Sequence, residues 1–565
     1  MEKGVQLGLP LYQGKGAQMK SVRKFGIVLI SALLLASTLQ SNVAQAGRKI
    51  SPDVTSLGLL FKENSELGTM PSVLFAQGDV NVRESWLICE DLADKVCTDA
   101  PEMFGYTNWD ICTDAITIAC IAEIWAVDAS GNRIAGQYVK TTPNDPRYIV
   151  KEIPSINLPQ STGMGAVWKL PGVINSAGKD TYFVAVQSII NQRKSPGTPV
   201  ADIKLKLMDM TAGILPVEEI SGEFQLTTAN DTRNGLGAFG SNGRQRAPDG
   251  SACAATDLNA CQAIREFPTG YRFGLTLRMG KKPEGWYHGR LYLPTISIKD
   301  WKSGAEISIE AEPVKVPSLD FLVPNAEIPQ KIRDLLLTYE SFGVSGDGVT
   351  ATRITEMLSG PRALALVSGF VPSYKDKATT TDYYWSFKTL NYGYGQEEST
   401  RKCSDKTGNL AGLVTTNALA YAAGPPVFDK ETSSLSYKVS SPHFEASGIE
   451  ASGSYDLSLR SDVARCIYGF SKAPIRAEIS ITSSEGEKKV ATTTVNEKNG
   501  WLYLSAKGFT FSTPLINVKL SQDAVVAERT KSIGKKSISI TCVKGKTSKK
   551  VTGANPKCPP GYKKK

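Results

Sequence analysis

The chain has 565 residues, of which 41% are hydrophobic and 21% are charged, and its formal net charge is +10. This length accommodates two to four domains, and the composition excludes a wholly disordered chain. Only two histidines occur, His288 and His443, which disfavours sites that need several imidazole groups.

The first segment with a clear pattern is a leader at residues 1–46. A basic patch at 19–24 precedes an apolar run at 25–39, and an Ala-x-Ala sequence ends at Ala46. This order is typical of a secretory signal peptide, with Met19 as an alternative start. A transmembrane anchor is the other interpretation, but the run is shorter than the roughly 20 residues that span a bilayer. We therefore predict an extracellular or cell-surface protein without a transmembrane span after cleavage.

A short internal repeat lies at residues 86–120. Trp86, Cys89 and Cys97 recur 23 residues later as Trp109, Cys112 and Cys120. One repetition is too short for a repeat array, and we interpret it as a structural feature. Sequence leaves open which of three possible pairings Cys89, Cys97, Cys112 and Cys120 adopt.

The ten cysteines agree with export, because an even number in an exported chain is typical of disulfide bonds. Three local pairs are predicted: Cys253–Cys261, Cys403–Cys466 and Cys542–Cys558. Zinc binding is the alternative, but the chain has no Cys-x-x-Cys pair and no histidine beside a cysteine. We predict neither a metal site nor a cofactor.

Apolar and polar residues alternate along much of the chain. The alternation occurs at 203–207, 271–279, 305–311 and 475–482. A period of two predicts strands with one buried and one solvated face, as in antiparallel sheets. We therefore predict a mainly β protein with two or more antiparallel, β-sandwich-like domains stabilised by disulfides.

Turns and helices are fewer. Turn-forming residues at 280–285 and 483–486 predict hairpin connections, as they do at 128–132. The best helix candidates lie at 328–341 and 351–358.

Composition shifts predict the domain organisation. The predicted parts are the leader at 1–46, a linker at 47–79, a β-rich region at 80–312, a Pro-containing connector with a short helix at 313–344, a second β-rich domain at 345–525 and a basic tail at 526–565.

The segment after the 280–285 turn supplies candidate ligand contacts. Alternation places Trp286, His288 and Arg290 on one face of a strand. Such a face can stack a sugar ring and donate hydrogen bonds to its hydroxyl groups. The alternative is a structural strand whose long side chains cover the sheet.

The densest aromatic patch lies at 383–398. Tyr383, Trp385 and Tyr394 are its candidate contacts, and Glu397 and Glu398 follow. Aromatic rings beside carboxylates suit glycan binding or glycoside hydrolysis, but strands also use aromatic residues as core. Because no catalytic motif is recognisable, we assign no catalytic residue.

The tail is strongly basic. From Arg529 to Lys565 it contains twelve basic residues and no acid, so the rest of the mature chain is mildly acidic. Clustered lysines attract dense polyanions, and export favours anionic cell-wall polymers or glycans over nucleic acid. A solvated terminal arm is the alternative.

Three of these segments carry a resemblance. They are Gly285 to Leu291, the four-cysteine segment around Trp86 and Trp109, and the ending from Ile540 through Cys542 and Cys558 to Lys565. Together they resemble uncharacterised secreted actinobacterial proteins with a short Cys-containing, Lys-rich C-terminal cap. The resemblance implies a bacterial, extracytoplasmic setting and brings no activity, cofactor or catalytic residue with it.

These observations lead to one hypothesis and one alternative. The hypothesis is a secreted or cell-surface bacterial protein with a non-catalytic binding or structural role at the envelope. The alternative is a secreted glycan-active enzyme or carbohydrate-binding protein that uses the 383–398 patch. Converging carboxylates in a cleft would favour the enzyme.

Overall fold

The computed structural model describes most of the chain beyond the leader. The described residues are 55–63, 72–77, 86–89, 93–142, 158–160, 163–193, 206–224, 245–338, 343–346, 351–355, 358–390, 398–405, 409–471, 474–482, 488–490, 492–511, 515–522 and 538–565. The predicted signal peptide at 1–46 and the alternation at 203–205 lie outside them.

The strands of the first half of the chain are β1 Ser56–Phe61, β2 Val73–Gln77, β3 Trp86–Cys89, β4 Glu102–Asn108, β5 Cys120–Val127, β6 Arg133–Ala135, β7 Gln137–Thr142, β8 Gly165–Lys169, β9 Thr181–Arg193, β10 Lys206–Ser221, β11 Cys253–Thr256, β12 Ala260–Ile264, β13 Arg272–Met279, β14 Gly285–Arg290, β15 Tyr292–Trp301, β16 Gly304–Glu312 and β17 Val314–Pro324.

The strands of the second half are β18 Gly343–Gly346, β19 Ala351–Thr355, β20 Thr380–Tyr384, β21 Ser386–Leu390, β22 Leu410–Thr416, β23 Ala420–Tyr421, β24 Val427–Asp429, β25 Ser434–Ser440, β26 Gly453–Arg460, β27 Ile475–Thr482, β28 Lys488–Val490, β29 Thr492–Lys498, β30 Trp501–Phe509, β31 Leu515–Gln522, β32 Ile538–Lys544, β33 Thr547–Gly553 and β34 Lys563–Lys564.

Helices are short and few among the described residues. They are α1 Lys95–Asp99, α2 Gln330–Thr338, α3 Pro361–Gly369, α4 Val371–Tyr374, α5 Glu398–Asp405, α6 Ser461–Tyr468 and a 3-10 turn at Asn325–Glu327. Helix α2 confirms the prediction at 328–341. The helix predicted at 351–358 is wrong, because Thr352, Ile354 and Thr355 are β-branched and β19 pairs in parallel with β1.

One large sheet forms the centre of the protein. Its strands follow the order β29-β30-β26-β22-β14-β21-β10-β9-β4-β2-β3, and β7, β8, β11 and β12 join beside this path. Strand β14 pairs antiparallel with β21 and parallel with β22. Strands from 80–312 and 345–525 therefore share a sheet, and residues 46–565 form one compact unit. The predicted boundaries between these regions stay a prediction.

A second sheet packs on one face of the large sheet. It has the order β15-β16-β13-β5-β6, and its apolar residues, such as Leu275 and Ile309, share a core with Val184, Tyr287 and Phe387 of the large sheet. The strands predicted at 271–279 and 305–311 are both present here. Burial alternates along β16 as expected, whereas residues 273–277 of β13 are all buried. This pair of sheets confirms the mainly β, sandwich-like fold class.

The opposite face of the large sheet is also covered. Trp286 and Leu457 pack there in a core that includes Leu59 of β1, Val518 of β31 and helix α3. Two further sheets, β18-β19-β1-β17-β20 and β23-β25-β31-β27-β28, contribute to this core, and β24 pairs with β25. The central strands are therefore buried on both faces.

Parts of two predicted connections belong to sheets. Residues 47–79, predicted as a linker, contain β1 and β2. Leu57, Leu59 and Phe61 of β1 are buried, and so are the four consecutive residues 73–76 of β2. Residues 313–344 contain the predicted short helix, but they also contain β17, which pairs with β1 and β20.

One of the three predicted hairpin connections is confirmed, since residues 128–132 connect β5 to β6 and these strands pair. The connection predicted at 483–486 lies outside the described residues, although the strands on either side of it, β27 and β28, pair antiparallel. The hairpin at 280–285 is wrong, because β13 and β14 belong to different sheets. This turn carries the chain from one layer of the sandwich to the other.

All ten cysteines form disulfides. The three predicted bonds, Cys253–Cys261, Cys403–Cys466 and Cys542–Cys558, are confirmed. The four cysteines of the repeat pair within each unit, as Cys89–Cys97 and Cys112–Cys120. Each of these two bonds has a sequence separation of 8, so each copy of the repeated sequence forms the same short disulfide-closed loop.

Candidate functional site

The candidate contacts on β14 lie inside the protein. Trp286, His288 and Arg290 expose only 1–2% of their surface. Their strand lies between β21 and β22, and layers of structure cover both faces of the sheet. The face that alternation predicted as a sugar platform is therefore closed to a large ligand.

Arg290 connects three segments through its buried guanidinium group. Nε and Nη2 contact the Glu63 carboxylate at 2.7 and 2.6 Å. Nη1 donates to the carbonyl oxygens of Thr416 and Ala418, at 2.9 and 2.6 Å, and Nη2 donates to that of Leu419 at 3.0 Å. A buried cation needs this degree of pairing, because desolvation costs several kcal/mol per ion. Arg290 thus holds the turn after β22 and the end of β1 against β14.

His288 lies beside Arg290 and its hydrogen-bond partners. Its ring stacks on the Tyr421 ring with centroids 3.7 Å apart, and the Arg290 guanidinium lies 4.8 Å from the same Tyr421 ring. Burial lowers the pKa of His288 well below its usual value, and the positive charges of Arg290 and Lys388 lower it further. The imidazole is therefore neutral and serves as a packed aromatic group at physiological pH.

A second buried polar group lies further along the large sheet. Asp456 on β26 accepts hydrogen bonds from the Leu293 amide at 3.0 Å and from the Thr415 hydroxyl at 3.3 Å. Burial raises its pKa to about 6, although these hydrogen bonds favour the charged form. The carboxyl is placed to join β26 to the start of β15, and it is 3% exposed.

The aromatic patch at 383–398 is only partly described. Trp385 is fully buried, and its indole N–H donates to the Ala311 carbonyl oxygen at 3.0 Å. Tyr383 is half-buried, with the Lys315 Nζ 5.3 Å from its ring centroid. Tyr394 and Glu397 lie outside the described residues. Trp385 is therefore a core residue, and it offers no open ring to a sugar.

The structure does not bring the described candidate contacts into one site. Trp286 belongs to the core on one face of the large sheet and Trp385 to the core on the other. Sequence reasoning did not identify Glu63, Tyr421 or Asp456 as partners. Their positions in the chain carry no motif, since the segments that they join are distant in sequence.

The basic tail contains the clearest exposed site. Strands β33, β32 and β34 form a three-stranded antiparallel sheet in that order, and Cys542–Cys558 clips it. We call residues 538–565 the cap. It contains eight lysines and no acidic residue. Within the described part of the chain, the hydrogen bonds of cap residues are internal to the cap, as between the Lys565 amide and the Thr541 carbonyl.

The cap lysines are accessible. All eight are exposed: Lys544, Lys546, Lys549, Lys550, Lys557, Lys563, Lys564 and Lys565. No ion pair neutralises them among the described residues, in contrast to Arg290. The predicted tail is thus a folded, cationic surface at its C-terminal part, while residues 526–537 lie outside the described ranges.

Metal and membrane sites are the remaining candidates. In the described ranges, no group of three or more His, Cys, Asp or Glu side chains is arranged to hold a metal ion. Nor does any described helix have the length and apolar character needed to cross a bilayer.

Comparison with known proteins adds no family. No protein-family model, curated protein or solved structure matches this chain.

Proposed function

We propose that the protein is exported and has a non-catalytic binding or structural role at the bacterial envelope, with the cap as its polyanion-binding end. The cap carries the proposal, because eight lysines without a compensating acid form a compact, disulfide-clipped surface. Such a surface attracts dense polyanions within a Debye length. Anionic wall polymers are the partners that an exported chain encounters.

Three other observations support export. The leader has the three-part organisation of a signal peptide. Five disulfides consume every cysteine, and such bonds persist in oxidising compartments. The resemblance to secreted actinobacterial proteins agrees with this address.

A binding role also fits the interior. The two candidate residues with strong chemistry are buried, His288 in a ring stack with Tyr421 and Arg290 in hydrogen bonds to backbone carbonyl oxygens. The glycan alternative receives no support from Trp385, whose ring is enclosed in the core. We therefore place the interaction surface at the cap. In this proposal the cap holds the β-rich body at the envelope.

Cell fractionation tests the proposal. The full chain and a variant lacking 529–565 are expressed in an actinobacterial host, and each is quantified in the wall fraction and in the medium. We expect the full chain in the wall fraction and the truncated chain in the medium. Equal retention of both chains would contradict the cap's role.

Export is tested separately. The N-terminus of the recovered full chain is sequenced, and its thiols are counted under denaturing conditions. We expect cleavage after Ala46 and no free thiol. An uncleaved, intracellular chain with reduced cysteines would overturn the proposed location.

A further inference from the structure

The cap sheet has two chemically different faces. Residues directly opposite each other in antiparallel strands share a face, and successive residues alternate between faces. Cys542 is opposite Lys549 on one side and Lys564 on the other. Thr541 is opposite Lys550, and the Lys565 amide donates to the Thr541 carbonyl. The register thus separates the Cys542 row from the Thr541 row.

The Cys542 face contains the small core of the cap at its centre, although Lys544, Lys549 and Lys564 at its edges are exposed. Ile540 and Cys542 are buried, and Val551, which is opposite Ile540, is half-buried. The disulfide to Cys558 brings the segment before β34 to this face. That segment ends in a turn in which the Tyr562 amide donates to the Pro559 carbonyl at 3.0 Å. The small core of the cap therefore lies on this side.

The opposite face is open and polar. Its first row runs Lys550, Thr541, Lys565 across the three strands, and the next row runs Ser548, Val543, Lys563. All three lysines are exposed, while Thr541 and Val543 on the central strand are half-buried. We call Lys550, Lys563 and Lys565, with the hydroxyl groups of Thr541 and Ser548, the lysine face.

The distances between the lysines of the lysine face suit a linear ligand whose negative charges are spaced along its length. Lys563 lies in β34 and Lys565 follows directly after that strand, so their Cα atoms are roughly 7 Å apart. Lys550 lies two strands away from Lys565, so those two Cα atoms are roughly 10 Å apart. A hydroxyl group stands between the outer ammonium groups in the first row. A phosphate group can accept hydrogen bonds from ammonium and hydroxyl donors at the same time. The lysine ammonium group binds phosphate as a compact positive charge.

We infer that the lysine face binds a linear phosphodiester polymer of the envelope, an inference that rests on the function proposed above. A lipid bilayer is the less suitable partner. Interfacial membrane binding uses apolar or aromatic groups that enter the bilayer, and Val543 is the sole apolar side chain in the two rows described. The hydroxyl-lined surface instead accommodates a polymer that stays in water.

A matched pair of triple variants tests the assignment. The first replaces the lysine face (Lys550→Ser, Lys563→Ser, Lys565→Ser). The control replaces three exposed lysines elsewhere in the cap (Lys546→Ser, Lys549→Ser, Lys557→Ser), so both remove three positive charges. Binding of the full, oxidised proteins to lipid-free polyglycerolphosphate is measured by titration calorimetry across a salt series.

The lysine-face variant is expected to lose about 100-fold in affinity, since each lysine near an anionic surface contributes roughly fivefold. For this variant, the slope of log affinity against log salt concentration should become less steep by about 2, as expected when three contacts to a flexible polyanion are lost. The control variant should lose less than about tenfold. Equal losses in the two variants would overturn the lysine face and leave the cap's general role intact.

Two further ligands test the chemistry. Polygalacturonate supplies carboxylates on a linear polymer, and vesicles of phosphatidylglycerol supply phosphate on a membrane. We expect both to bind at least about tenfold more weakly than polyglycerolphosphate. Equal or tighter binding of either one overturns the corresponding part of the inference.

The cell experiment separates this inference from the proposed function. If removal of 529–565 releases the protein but the lysine-face variant stays in the wall fraction, the inference fails and the proposed function stands. If neither change releases the protein, the proposed function fails as well. Intact disulfides in each variant, shown by a thiol count, establish that the cap retains its clip.

Discussion

The Arg290 site and the cap use positive charge in opposite ways. Arg290 is 1% exposed, paired with Glu63 and bound to three carbonyl oxygens. The cap lysines are exposed and unneutralised within the described residues. A cation whose donors are all used inside the fold stabilises the fold, whereas cations without partners are available to a ligand. The difference separates structural charge from functional charge in this protein.

The largest effect is expected from Arg290→Ala, which tests the structural role of the buried charge. It would leave the Glu63 carboxylate and three carbonyl oxygens without their buried donor, and loss of one member of a buried pair costs about 3–5 kcal/mol. Urea denaturation measures the free energy of unfolding. Arg460→Ala is the matched control, because Arg460 pairs with the half-exposed Asp462 and should cost less than about 1 kcal/mol. Equal losses would contradict the structural role of Arg290.

The next largest effect concerns Asp456, whose titration should make the free energy of unfolding depend on pH. Its pKa is raised to about 6 by burial, whereas an unfolded Asp has a pKa near 3.8. Between these values the folded state binds more protons than the unfolded state, so this group lowers stability as pH rises from about 4 to 6. A pKa difference of this size between the two states corresponds to about 3 kcal/mol in the free energy of unfolding.

Asp456→Asn removes that titration. Urea denaturation at several pH values should show that the stability of the variant relative to the native protein increases from pH 4 to 6 and is level above that range. Parallel stability curves for the two proteins would show that Asp456 does not titrate in this window.

Trp385→Phe distinguishes a core residue from a ligand platform. The change removes the indole that fills the core and donates to Ala311, which should lower the free energy of unfolding by about 2 kcal/mol. Binding to polyglycerolphosphate should be unchanged, as measured by calorimetry. Weakened binding in a variant of normal stability would restore the aromatic patch as a candidate ligand site.

The smallest expected effect on global stability comes from opening the cap. Replacement of Cys542 and Cys558 by serine should leave the Tm of the β-rich body within about 2 °C, because the described cap residues make their hydrogen bonds within the cap. The same double variant should bind polyglycerolphosphate more weakly, since the lysine face loses its fixed arrangement. A large fall in Tm would show that the cap stabilises the body.

The confirmed predictions rest on local patterns. Alternation identified β13, β16 and β27 within one or two residues. Short sequence separations of 8 and 16 gave Cys253–Cys261 and Cys542–Cys558, because nearby cysteines meet when the chain turns between them. Cys403–Cys466 has a separation of 63 and was predicted as the bond that ties distant strands together. The lysines and cysteines of the cap also predicted a clipped basic element. The 351–358 helix failed because pairing of β19 with β1 outweighed its weak helical pattern.

The buried polar groups could not be predicted in the same way. His288 and Arg290 alternate with Tyr287, a pattern that normally indicates one solvated face, and Glu63 lies 227 residues from Arg290. Nothing local shows that a second layer covers the polar side of β14. For the same reason, the residues at 280–285 have the local pattern of a hairpin turn although β13 and β14 lie in separate sheets.

By itself, the amino-acid sequence determined the strand-forming periodicity, the supply of cysteines and the concentration of lysine at the C-terminal end. These properties belong to neighbouring residues and survive in any arrangement of the layers. Tertiary structure alone decided that Arg290 meets Glu63, that both faces of the central sheet are enclosed, and that Lys550, Thr541 and Lys565 stand in one row. Those outcomes depend on contacts between distant segments, where burial changes a polar side chain from a candidate ligand contact into a structural bond.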